Sequence, residues 1–196
     1  MHYLLFKSLT DKILCLCMLT ILSPLLILLI ICLTIIYKGN PFFTQVRGGK
    51  DGRVFRILKF KTMHTPLENS DKAKSGVKRI SLSGKILRRM GIDELPQLIN
   101  VLKGEMNIVG PRPLPVEYIK LYNKHQYRRL EIKPGITGWS QINTTFDNSW
   151  NERLDYDVWY ADHVCFLIDL RILLLTLPFV LRRKEYQSWP KFTGSN

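Results

Sequence analysis

Residues 13–37 read ILCLCMLTILSPLLILLIICLTIIY, a run without a single charged side chain. Wholly helical, it would extend roughly 37 Å, enough for the hydrocarbon core of a bilayer. It is too long for the apolar part of a signal peptide and has no small-residue cleavage site near its end. A single-pass anchor is the plain reading, but two features argue for another path. Pro24 has no N–H to donate and disfavours helix at Ser23, whose hydroxyl can serve a carbonyl that the proline frees. Basic residues also flank both ends, Lys7 and Lys12 before, Lys38 and Arg47 after, whereas a crossing helix gathers Lys and Arg on one side. The expectation is a re-entrant membrane helix over 1–38 that bends at Ser23-Pro24 and returns to the face it entered, with both termini on that face.

Beyond this run the 196-residue chain has room for one modest globular domain, expected over 39–182, and a basic, aromatic tail over 183–196 that is expected to be mobile. The expected fold class is α+β, mostly helical with a short β-hairpin, with amphipathic helices at the membrane interface. FFTQVR and RVFRILKFKTM alternate like strands around the turn GGKDG, with Val54, Arg56 and Leu58 on one face and Phe55, Ile57 and Lys59 on the other. Ser81 or Ser83 starts a short helix. Asp93 reads as the N-cap of another, with Pro96 in its first turn and Gly104 past its end. Residues 115–132 read as one amphipathic helix, PGITGWSQIN as a glycine-punctuated loop, and 150–163 as a helix. Residues 164–181 are apolar but carry Asp169 and Arg171, which suits an in-plane interfacial helix better than a second crossing.

The formal charge of +13 admits nucleic acid, anionic lipid or phosphorylated substrates as partners, and the neighbouring apolar run favours the membrane. Three of the four cysteines, Cys15, Cys17 and Cys32, lie inside that run, and with Cys165 they form neither metal-site spacing nor a disulfide framework. A Walker loop, a Rossmann fingerprint, HExxH, G-x-S-x-G and CxxC are all absent, and the four histidines are scattered. The best chemical candidate is Asp93-Glu94. It is either an ordinary helix cap or a nucleophilic carboxylate able to attack phosphorus, beside a second that helps to hold a divalent ion. Gly110-Pro111-Arg112-Pro113 is either a rigid turn or a stiff mount for an arginine that binds phosphate. Lys59 and Lys61 lie on a strand whose plain reading is a solvated basic edge.

Taken together, GNPFFTQVRGGKDGRVFRILKFKTM, Arg88, GIDELPQLINVLKGEMNIVGPRPLP, PGITGWSQIN and Asp157-Val158-Trp159-Tyr160 resemble the bacterial sugar transferase family, in particular its small monotopic phosphoglycosyl transferases. The resemblance implies a catalytic domain on the cytoplasmic face of the bacterial inner membrane and a ping-pong reaction. Asp93 would attack the β-phosphorus of a UDP-sugar and release UMP; polyprenol (undecaprenyl) phosphate would then take the phospho-sugar. It implies Mg²⁺ held by Asp93 and Glu94, Arg112 on the donor, and Lys59 and Arg88 as phosphate contacts. No nucleic-acid partner is implied; a homodimer and association with downstream glycosyltransferases are compatible with it. Two departures stand out. Where the family usually continues with Gly-Arg-Asn this chain reads Asn143-Thr144-Thr145-Phe146, and the usual KFRTM appears as KFKTM, with Lys61. Two other classes share these features: a membrane-anchored basic interaction protein, and a transferase homologue that has lost catalysis.

Overall fold

A computed structural model describes residues 2–63, 81–145, 148–182 and 192–194. The apolar run belongs to α1 (His2–Tyr37), one continuous helix, long and apolar enough to cross a membrane by length and composition. Its polar side chains are satisfied within it: Thr10, Thr20 and Thr34 donate to carbonyls one turn back. The carbonyl that Pro24 leaves without a helical donor is that of Thr20. The Ser23 hydroxyl donates to it at 2.8 Å, so the helix continues past its proline.

Both halves of α1 rest on the same globular body. Cys15 is fully buried in the main core among Leu98, Val101, Met106 and Ile108, with Met18 and Leu19 packed alongside. Leu33 is buried with Phe60 and Leu87, joined by Leu26, Leu29, Ile30 and Ile92. Between these contacts only a stretch of roughly 9 Å of helix is left. A polar lock fixes the first half. The Asp169 carboxylate accepts from Lys7 Nζ at 2.5 Å, Tyr3 at 2.6 Å and Tyr160 at 2.5 Å, while Asp11 accepts the backbone N–H of Ile108 at 3.1 Å.

The expected hairpin forms: β1 (Phe42–Gly48) pairs antiparallel with β2 (Val54–Phe60), Phe42 opposite Phe60 and Gly48 opposite Val54. Its turn needs two consecutive left-handed residues, Asp51 at φ 56° and Gly52 at φ 74°, which the DG pair supplies. Along β2 the alternate residues Phe55 and Ile57 are buried while Val54 and Arg56 are exposed, and Phe60, at the strand's end and out of that alternation, is buried as well. Asn100 supports the backbone of β2, accepting from Leu58 N at 3.1 Å and donating to the Arg56 carbonyl at 2.8 Å.

Helix α2 (Leu82–Arg89) is capped by Ser81, whose hydroxyl accepts from Gly84 N. Asp93 is not the N-cap expected of it. Gly91, at φ 68°, holds that place, and Asp93 lies inside a 3₁₀ turn, Ile92–Gln97, which runs into α3 (Leu98–Leu102). The expected single helix over 115–132 is three short pieces: a 3₁₀ turn Val116–Leu121, α4 (Lys124–Tyr127) and a second 3₁₀ turn Arg128–Leu130. Tyr122 turns extended, and Asn123 with Gln126 forms a capping box that starts the chain afresh.

PGITGWSQIN is not a loop. Its Gly135–Thr137 forms β4, parallel to β3 (Asn107–Val109), followed by α5 (Trp139–Asn143). Glycine makes this pairing possible: a Cβ on Gly135 would stand 2.0 Å from Gly110 N, and one on Gly138 2.2 Å from the Gly110 carbonyl. Helix α6 (Trp150–His163) matches expectation, with Ser149 and Glu152 forming its capping box. Helix α7 (Phe166–Arg182) buries Asp169 and Ile172 and exposes Phe166, Leu167, Leu170, Leu174 and Leu177. Of the tail, Phe192 is buried against Tyr118, Tyr122 and Trp150, so this point of it is packed on the domain.

Candidate active site

The sequence around Asp93 places two adjacent carboxylates within the field of the same cations, Lys59 and Arg112. Gly91, at φ 68°, leads the chain out of α2, Ile92 packs into the apolar cluster with Leu33, Phe60 and Leu87, and of the next two side chains Glu94 meets the cations directly while Asp93 lies within their field. Glu94 Oε1 accepts from Lys59 Nζ at 2.6 Å and from Arg112 Nη2 at 2.8 Å, and its Oε2 is 3.5 Å from Arg112 Nη1. Lys59 reaches it because residue 59 has the same parity as the inward-facing Phe55 and Ile57, so the plain reading of a solvated basic edge fails at this position. Arg88, in the last turn of α2, donates from Nε to Thr62 Oγ1 at 2.8 Å, and its charge acts on Asp93. Lys61 goes elsewhere, over the Tyr37 ring at 5.5 Å.

All five residues singled out for the site, Asp93, Glu94, Lys59, Arg88 and Arg112, therefore come together. Asp93 is 9 % exposed, and its carboxylate accepts no hydrogen bond from the described residues. Burial, then the charge of Glu94, raise its pKa above the usual aspartate value, against the opposing pull of Lys59, Arg88 and Arg112. For Glu94, burial pushes the same way, but Arg112 and then Lys59 outweigh it and hold the carboxyl well below the usual range. Neighbouring carboxylates driven apart in this way can take different roles.

A second group of residues comes together in a pairing that the sequence does not announce. Arg129 and Asp157, 2 % and 4 % exposed, form a buried pair, with Arg129 Nε and Nη2 donating to Asp157 Oδ2 at 3.0 and 2.7 Å. Ser140 donates to Asp157 Oδ1 at 2.6 Å. Arg129 Nη2 also donates to the Arg112 carbonyl at 2.6 Å, so this pair fixes the backbone from which Arg112 reaches Glu94. Asp157 lies in a segment that carries the family resemblance, but nothing local links it to Arg129 on another element. A cleft of about 110 Å³ opens beside Arg112, lined also by Ser140, Gln141, Thr144, Trp150 and Arg153.

Among the described residues no three His, Cys, Asp or Glu side chains gather into a metal site. A divalent ion here would rest on Asp93 and on the loosely held Oε2 of Glu94, with phosphate oxygens of a substrate completing its shell. That is the ordinary manner of Mg²⁺, which takes one or two carboxylates and keeps its other positions for phosphate and water. The residues present fit such an ion.

Residues 2–183 match the family described as bacterial sugar transferase. The chain belongs to that family. It is thus a sugar-phosphate transferase, and the comparison with named relatives is consistent. Over 179 residues the transferase is 42 % identical to the uncharacterized sugar transferase EpsL of Bacillus subtilis, covering 88 % of this chain and 89 % of that one. It is 35 % identical over 186 residues to the exopolysaccharide production protein ExoY of Sinorhizobium fredii, covering 84 % and 81 %. The UDP-glucose:undecaprenyl-phosphate glucose-1-phosphate transferase of Xanthomonas campestris is 37 % identical over 194 residues, which are 93 % of this chain but 40 % of that longer protein.

Proposed function

We propose that this transferase moves a phospho-sugar from a UDP-sugar to undecaprenyl phosphate through a covalent adduct on Asp93, at the cytoplasmic face of the bacterial inner membrane. The names of relatives support the donor and acceptor classes. The observation that carries the reading is the placement of Asp93. It is a carboxylate without a hydrogen-bond donor among the described residues, faced by Lys59, Arg88 and Arg112, and one residue from an apolar cluster built partly by α1.

In the first step an Asp93 oxygen bonds to the β-phosphorus as the bond to the bridging oxygen breaks, and UMP leaves with that oxygen. In the second, an oxygen of undecaprenyl phosphate attacks the same phosphorus, the Asp93–phosphorus bond breaks, and the carboxylate is restored. Lys59 and Arg112 hold Glu94 ionised and offer N–H donors to the phosphoryl oxygens as charge shifts. Mg²⁺, when bound, neutralises phosphate oxygens so that an anionic nucleophile can approach. Incubation of the purified protein with a panel of UDP-sugars and Mg²⁺ is expected to add the mass of one phospho-sugar. An unchanged intact mass with every donor overturns the reading. In the metal-free protein, where burial and the charge of Glu94 raise the pKa of Asp93, its carboxyl should titrate above the ordinary aspartate value when followed by difference infrared absorption against Asp93→Asn. Titration at or below that value would show that Lys59, Arg88 and Arg112 outweigh burial.

The re-entrant path belongs to the same proposal. A helix that crossed would carry one of its ends about 30 Å from a domain on the other side, yet residues near Cys15 and near Leu33 both pack on one domain. The exposed apolar face of α7 supports an in-plane placement at the same surface. In a cysteine-free background, His2→Cys should resist an impermeant thiol reagent in intact cells and react after permeabilisation. Labelling in intact cells defeats the non-crossing helix.

A further inference from the structure

Three lysines meet at a corner of the domain that neither step above uses. Lys12 comes from α1, Lys133 from the segment before β4, and Lys50 from the hairpin turn. Lys12 and Lys133 are half-buried, and both amines close on Gly104, just past α3. Gly104, at φ 79°, has no side chain to fill the space. A Cβ there would lie 3.6 Å from Lys12 Nζ and 3.8 Å from Lys133 Nζ, so two ammonium groups stand around one small volume. Among the described residues none of the three lysines forms an ion pair. Of the acids beside them in the chain, Asp11 is engaged by Lys7 at 3.6 Å and by the Ile108 N–H. Glu105 accepts from Asn100 Nδ2 at 2.7 Å, and Asp51 is exposed at the hairpin turn. Lys133 Nζ donates to Ser8 Oγ at 3.1 Å, which uses one of its three protons. Burial lowers the Lys133 pKa, and the charges of Lys12 and Lys50 lower it further against the pull of Asp11, as happens when like charges are held together short of a counter-ion.

Position on α1 selects the anion. Lys12 is the last charged residue before the uncharged run 13–37, the depth at which a helix entering a bilayer meets the headgroup phosphates. Leu9, Ile13 and Leu16 are exposed beside it on the same helix, so an apolar track leads away from the amines. A free phosphate uses the amines and leaves the track empty; a phospholipid uses both. A zwitterionic headgroup brings an ammonium of its own, which the lysines repel. We infer that Lys12 and Lys133, with Lys50 close by, bind the phosphate of an anionic phospholipid whose acyl chains lie along Leu9, Ile13 and Leu16. The site is separate from the one at Asp93, which is faced by Lys59, Arg88 and Arg112. It ties the first half of α1 and the globular domain to a single headgroup, and it needs α1 at the bilayer but not the transfer reaction.

Native mass spectrometry of the full-length protein in detergent, titrated with phosphatidylglycerol or with phosphatidylcholine, reads this site without any turnover. Wild type should retain one phosphatidylglycerol at low lipid ratio. Lys12→Gln with Lys133→Gln should weaken that binding about tenfold and leave phosphatidylcholine unchanged. Lys120→Gln with Lys124→Gln removes the same charge from exposed positions elsewhere and should leave phosphatidylglycerol binding as it was. Lys133→Arg, which keeps the charge, should bind like wild type. Lys12→Gln alone should lose part of the affinity, and it carries the test if the double variant does not fold. Undiminished phosphatidylglycerol binding by the double variant, or by Lys12→Gln in its place, overturns the inference. An equal loss in the control pair does so too, because it would mark general charge attraction. Displacement of the lipid by inorganic phosphate at matched concentration would show that the acyl chains contribute nothing, and it overturns the choice of a lipid. A failed adduct assay leaves this site standing, and a failure here leaves the reaction standing.

Discussion

Asp93→Asn is expected to abolish the phospho-sugar adduct and to lower transfer by at least about 10⁴-fold, the scale seen when a nucleophile that works as part of a unit is removed. The same substitution should make the protein more stable. The folded-state pKa of Asp93 lies above its ordinary value, so protonation of Asp93 favours the folded state. That contribution is complete in acid below the unfolded value and is lost as pH rises through the folded one. At neutral pH the ionised side chain is a buried charge beside Glu94, and a neutral isostere removes both the burial penalty and the repulsion. For a chain of this length each kcal/mol gained raises Tm by about 2–4 °C. Thermal melting at pH 7.5 alongside the adduct assay checks both halves. A variant that melts lower than wild type would show that the three cations outweigh burial and Glu94.

Asp157→Ala should have the largest effect on stability. It leaves the Arg129 guanidinium, 2 % exposed, buried without its carboxylate, and breaking a buried pair from one side costs about 3–5 kcal/mol. Denaturant unfolding should show a loss on that scale. The double substitution Arg129→Met with Asp157→Leu removes both charges, and replacement of a buried pair by apolar side chains is often near neutral. It should therefore recover much of the stability but not the activity. The Arg112 carbonyl would still lack the donor that Arg129 supplies at 2.6 Å, and Arg112 would reach Glu94 from a looser mount. Recovery of full transfer in the double variant would show that this hydrogen bond does not position Arg112.

The site was more legible in the sequence than the fold around it. Asp93-Glu94 and Gly110-Pro111-Arg112-Pro113 are contiguous, and each reads locally either as a cap or turn or as phosphate chemistry, a choice that the family resemblance makes in favour of the second. Lys59 was nameable, but its direction depended on which face of β2 is inward. The parity of Phe55 and Ile57 carries that information, although the basic neighbours Arg56 and Lys61 hide it. The misreadings share one cause. Residues 115–132 have helical periodicity, yet the local capping box at Asn123 with Gln126 outweighs it. PGITGWSQIN has the glycines of a loop, yet those glycines are there so that β4 can lie against Gly110. Neither outcome is set by periodicity, because each depends on what packs against the segment.

Within its own segments the sequence determined a long helix with an uncharged run over 13–37 and a proline with a serine to serve it, a hairpin on GGKDG, and a carboxylate pair ahead of a proline-braced arginine. These follow from backbone preferences and from the spacing of neighbours. Tertiary structure alone decided that Lys59 and Arg112 converge on Glu94, that Arg129 finds Asp157 across the domain, and that both halves of α1 rest on one body. Such contacts join residues far apart in the chain, and their energy comes from burial and from charge pairs that exist only once those elements have packed.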